Sequence, residues 1–153
     1  MKRNRYLILG VGVLVCLALL LTWFLTPTSL LPHPERAEVL SIRYRPYQEA
    51  ELRWEKHSSS DDAFAIDEAM EEQILQCLSD YQVRRKLTNI TTDNSVYDAI
   101  FNIMVRPVKG KSDLLLITLG LDNFAQKNLS WPELTILNGE DVTPDLLELL
   151  NLD

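Results

Sequence analysis

Cysteine is nearly absent from the sequence, with Cys16 and Cys77 the two in 153 residues. Cys16 sits inside a long apolar run and Cys77 well outside it, so an internal disulfide is not expected. An exported domain without disulfides suits a bacterial envelope better than an animal extracellular space. The two histidines, His33 and His57, are 24 positions apart, and no cysteine lies near either at zinc-ligand spacing. Five glycines form no glycine-rich loop behind a strand, which removes a phosphate cradle. No G-x-S-x-G occurs. Basic residues are also scarce: 15 Lys and Arg stand against 22 Asp and Glu, a net charge of −7. Nucleic acid is therefore not an expected partner. These absences leave no catalytic residue, cofactor or metal ligand to name, and an enzyme is not expected.

What is present begins with the run 6–25, YLILGVGVLVCLALLLTWFL, twenty residues without a charge. As a helix rising about 1.5 Å per residue it extends roughly 30 Å, the depth of a bilayer core. Tyr6 and Trp23 stand near its ends, where amphipathic rings favour the headgroup layer and anchor a span. Lys2, Arg3 and Arg5 precede it, and no Lys or Arg follows until Arg36. Basic flanks stay in the cytoplasm. The expectation is a single-pass signal anchor, with the N-terminus cytoplasmic and the remainder extracytoplasmic at the cell membrane. A cleaved signal peptide is the rival reading, but the run is long and Thr26-Pro27-Thr28-Ser29 offers no small-residue cleavage site.

The expected organisation is a basic tail over 1–5, the anchor over 6–25, a proline-rich stem over 26–38 and one domain over 39–153. Pro27, Pro32 and Pro34 keep the stem extended. Beyond it, Leu40, Ile42 and Tyr44 alternate with Ser41, Arg43 and Arg45, the period of a half-buried strand. Leu52 and Trp54 mark a second strand, a polar turn follows over 57–62, and 63–66 returns as a third. Ile66, Met70, Ile74, Cys77, Leu78 and Tyr81 recur at helical spacing. Asp67 is placed to cap that helix, and Arg84, Arg85 and Lys86 are read as charges at its C-terminal end. Stretches 97–106 and 113–121 read as an apolar hairpin, the second central in the sheet because both its faces are apolar. Stretch 123–130 reads as a loop and 134–137 as a short strand. A closing helix is expected with Thr143 as its cap and Pro144 at its first position. The fold class expected is α+β: one transmembrane helix, then an antiparallel sheet with an amphipathic helix packed on it and a short C-terminal helix.

Surface chemistry is sparse. Trp54 and Trp131 are large aromatics suited to a core or an interface, and Arg84, Arg85 and Lys86 form a basic cluster able to meet phosphate groups. Cys77 lies on the apolar stripe of the helix and reads as structural. His57 with Asp61 and Asp62 makes a polar tip.

The order of anchor, short strands, a helix followed by Val83-Arg84-Arg85-Lys86, apolar hairpin and closing helix resembles small signal-anchored extracytoplasmic domains of unknown function from Gram-positive bacteria. The likeness spans about 38–152. It departs from those that are lipoproteins, since Val15, not a small residue, precedes Cys16. It implies a location and a fold class and carries no catalytic residue. The functional expectation is a non-catalytic interaction module held to the membrane by its N-terminal helix and contacting another envelope protein. The alternatives are a sensor or carrier of a small ligand and, less favoured, an enzyme using acidic residues.

Overall fold

A computed structural model describes residues 2–45, 50–57, 62–85, 99–120, 123–128 and 130–152. Helix α1 runs Lys2–Leu25. A two-residue strand, β1 (Thr28–Ser29), follows it. After a single 3₁₀ turn (Pro34–Arg36) come β2 (Glu38–Tyr44), β3 (Leu52–Glu55), β4 (Phe64–Ala65), helix α2 (Glu68–Asp80) and β5 (Gln82–Arg85). The chain continues through β6 (Ala99–Arg106), β7 (Leu115–Gly120), β8 (Phe124–Lys127), β9 (Ser130–Ile136) and helix α3 (Gly139–Leu149). Among the described residues the nine strands form one sheet in the order β1-β5-β9-β8-β7-β6-β2-β3-β4.

One apolar core joins sheet and helices. Ile74 and Leu78 of α2 and Leu146 of α3 meet Val39, Ile42, Phe101, Ile103, Val105, Ile117 and Leu119 from the strands. Strand β7 lies fifth of the nine and pairs with β6 in antiparallel register, Ile103 opposite Ile117. The alternation in β2 is interrupted. Val39 pairs with Val105 and Ser41 with Met104, so Leu40 is an extra residue and Val39 joins Ile42 on the core face. The segment between α1 and β2 also enters the core through Leu30, Leu31 and Ala37.

The expected single-pass anchor is overturned. No helix among the described residues is long and apolar enough to cross a membrane. The signal-anchor reading, the cytoplasmic N-terminus and the extracytoplasmic, cell-membrane placement of the rest lose their premise with it. The expectation of a purely antiparallel sheet is also corrected. β3 and β4 run parallel, Trp54 beside Phe64, with rings 5.4 Å apart. The Ile66 N–H extends that ladder by donating to the Glu55 carbonyl at 3.3 Å.

Three local expectations shift as well. Stretch 123–130 contains β8, whose Ala125 is fully buried between β7 and β9. Helix α2 stops at Asp80 because Tyr81 turns extended, at φ −66° and ψ 130°, so Arg84 and Arg85 lie on a strand instead of neutralising a helix end. The end is satisfied differently: the Asn138 amide donates to the Asp80 carbonyl at 2.8 Å, and its oxygen accepts from the Gln82 N–H at 2.6 Å. Helix α3 begins at Gly139, with Pro144 inside it, since the Asn138 carbonyl already accepts from Asp141 and Val142. A side chain at 139 would collide with the Asn123 amide, 2.5 Å from where its Cβ would stand. Thr143 meets the buried Tyr81 hydroxyl at 3.0 Å. Positions 58–61 of the expected polar turn and the loop expected over 88–95 lie outside the described residues.

At the other end of α2, the Asp67 carboxylate accepts from the Met70 N–H at 2.8 Å. Replacing Asp67 with Ala is expected to cost about 1 kcal/mol by leaving that amide unpaired. A urea titration checks this, and D67N, which keeps the acceptor, should stay close to the parent.

Candidate functional site

The open side of the molecule lies where α1 meets the sheet edge. Thr26 folds back on the last helical turn, its hydroxyl donating to the Thr22 carbonyl at 2.6 Å, and Pro27 prevents continuation. β1 then pairs with β5, Thr28 opposite Val83 and Ser29 opposite Gln82. The Ser29 hydroxyl donates to the Ser79 carbonyl at 2.8 Å. This short link brings the end of α1 beside β5, and among the described residues it leaves the outer edge of β5 without a strand partner at Arg84 and Arg85.

Arg85 turns its guanidinium onto the end of α1. Its central carbon lies 3.7 Å from the Trp23 ring centroid and 5.9 Å from that of Phe24. Such a contact contributes about 0.5–1 kcal/mol in an exposed setting. Trp23 remains 62 % exposed. Between helix and edge runs a groove of about 560 Å³, lined on the apolar side by Leu19, Trp23, Phe24, Leu30, Val83 and Leu134, with Arg84 and Arg85 on its rim. Among the described residues no carboxylate pairs with either guanidinium.

A second cleft, of about 610 Å³, lies between the first turns of α2 and the 3₁₀ turn, with Glu35, Lys56, Glu68, Glu72 and Lys109 around Glu71. Glu71 is only 4 % exposed. Its carboxylate accepts from the Val39 N–H at 2.9 Å and the Lys56 ammonium at 2.6 Å. Lys56 lies 3.6 Å from Glu38, which also takes a hydrogen bond from its cross-strand neighbour Arg106. His57, exposed, stands 3.6 Å from the same Glu38 carboxylate. The network ties α2 to β2, β6 and the residues after β3.

Burial raises the Glu38 carboxyl, but the Arg106 hydrogen bond and the charges of Lys56 and Arg106 outweigh it, leaving the group below its ordinary value of 4.5. Hydrogen bonds from Arg45 and Arg53 do the same for Glu51. These are carboxylates held as anions, unlike a general acid, whose value is raised. Both folded values lie below the unfolded ones, so the stabilisation is complete above the ordinary carboxylate range and is lost as pH falls through the folded values. The urea midpoint should therefore hold from neutrality to about pH 5 and decline below it. E38Q combined with E51Q should flatten part of that decline, and an unchanged profile would refute the assignment.

The sequence candidates divide. Trp23 and Arg85 come together, with Arg84 next to them. Trp54 is 5 % exposed and stacks on Phe64, so it belongs to the core. Trp131 lies on β9 and Tyr6 on α1, with their side chains outside what is described, and Lys86 lies outside the described residues. Cys77 is buried, and burial, with the charges of Asp145 and Asp80, pushes its thiol up to about 11, so it stays protonated near neutrality. Among the described residues no group of three His, Cys, Asp or Glu side chains is placed to hold a metal ion. Sequence reasoning missed the Glu71 network. Its trace was there: Glu71 occupies the same helical face as Ile74, Leu75 and Leu78, a core position holding an acid.

No family model matches the chain, and neither a curated protein nor a solved structure matches it.

Proposed function

We propose that the chain acts by binding, as a non-catalytic interaction module whose contact surface is α1 together with the edge of β5. The observation that carries this reading is the state of α1. Among the described residues ten of its large apolar side chains are exposed, from Val11 to Leu25. They face every direction, without the single apolar stripe of a helix lying on its own domain. A helix apolar all round is one that something else covers, and contiguous exposed apolar surface on this scale marks an interaction site. Burying such side chains contributes about 25 cal/mol per Å² of apolar area, a large driving force for a partner. The cleft beside Glu71 supports a small-ligand carrier less well, because ligand pockets have mainly apolar walls and this one is ringed by charged side chains.

The test is position-dependent photocrosslinking of the full chain in cell extract. A photoreactive residue at Leu21 should give discrete adducts, and one at the exposed Glu140 of α3 should give none. Equal labelling at the two positions, or labelling at neither, would overturn the reading.

A further inference from the structure

The binding reading leaves the occupant unspecified, and the groove between α1 and β5 narrows it by its chemistry. One wall is apolar, built from Leu19, Trp23, Phe24, Leu30 and Leu134. The rim carries Arg84 and Arg85, and among the described residues neither has a carboxylate partner. The chain as a whole is at −7, so two unneutralised arginines on consecutive residues of β5, one to each face of the strand, run against its general charge. Stacking on Trp23 covers one face of the Arg85 guanidinium. Its N–H groups point outward in the guanidinium plane, and that planar fork matches the oxygens of a phosphate. An apolar trough ending at the Arg85 guanidinium fits a molecule with an apolar body and an anionic head.

We propose that this groove binds an anionic phospholipid, its acyl chains along Leu19, Trp23 and Leu134 and its phosphate at Arg85, with Arg84 adding positive charge at the same sheet edge. The proposal rests on the binding reading above. It concerns a single lipid molecule in a groove and asks nothing of a bilayer.

The experiment uses the purified full chain and native mass spectrometry. Three probes are compared: dihexanoyl phosphatidylglycerol below its micelle concentration, dihexanoyl phosphatidylcholine, and inorganic phosphate. One phosphatidylglycerol per chain is expected, bound about tenfold or more tightly than phosphatidylcholine, with inorganic phosphate weaker than both. The double variant R84Q/R85Q should lose that preference, while R43Q/K111Q, which removes two other exposed cations, should keep it. Matching thermal melts for the two variants establish that both are folded. Equal binding of the two lipids, an unchanged preference in R84Q/R85Q, or phosphate binding as tight as phosphatidylglycerol would each overturn the proposal. If crosslinking at Leu21 persists while phosphatidylglycerol fails to bind, the lipid assignment falls and the interaction module stands.

Discussion

Replacing Glu71 with alanine is expected to destabilise the fold by about 3 kcal/mol. Two losses combine. The Val39 N–H, buried at the start of β2, loses its carboxylate acceptor. The Lys56 ammonium loses its nearest counter-charge and, among the described residues, keeps Glu38 at 3.6 Å. Lys56 retains 20 % side-chain exposure, which lets water reach it and sets the estimate at the low end for a broken buried pair. The decisive measurement is a double-mutant cycle by urea denaturation. E71L and K56M together should cost clearly less than the sum of the two alone, because the pair is then replaced by apolar groups of similar size. If E71A lies within about 0.5 kcal/mol of the parent, the surface range, the network does not hold α2 to the sheet.

Replacing Phe101 with alanine is expected to cost about 4 kcal/mol. Phe101 is fully buried in β6, opposite Tyr44 on β2 and Leu119 on β7. Its ring lies 4.8 Å from that of Tyr44, tilted by 37°. Truncation removes the transfer energy of the ring, leaves a cavity at the middle of a twisted sheet and ends the aromatic contact, worth roughly 0.5–1.5 kcal/mol by itself. F101L, which fills most of the volume, should cost far less. Thermal and urea melts of both variants measure the difference, and equal costs would mean that the site collapses around any side chain.

Elements with an unbroken period were legible in the sequence. The apolar positions of α2 repeat over several turns, and the β6–β7 hairpin alternates long enough to fix both its pairing and its place in the sheet. Short elements were not. β8 has four residues, and its buried pair, Phe124 and Ala125, gives too little alternation to separate a strand from a loop. The run of Arg84 and Arg85 after a helix carries the same composition whether it caps that helix or forms a strand. The choice was made by Asn138, 58 positions beyond Asp80, through a contact that no local pattern records. The parallel pairing of β3 and β4 is equally non-local. For the candidate site, the basic residues were visible as a cluster and Trp23 as an isolated aromatic. Their meeting depends on two ladder pairs between β1 and β5 that are too short to read from composition.

That short ladder has a mechanical consequence. Beyond the Arg85–Trp23 contact, tension applied to α1 arrives at Thr28 and Ser29, where two residues of pairing and one serine hydroxyl stand between the helix and the buried Leu30. These contacts would unzip before the sheet yields, because small, solvent-reached patches of pairing open at the lowest free energy. The helix can then be drawn outward on a slack length of chain while the rest of the fold keeps its shape. The amide proton of Leu30, held by the Tyr81 carbonyl at 2.8 Å just behind those pairs, would exchange only once they had opened, and so would report that the pull had reached the core.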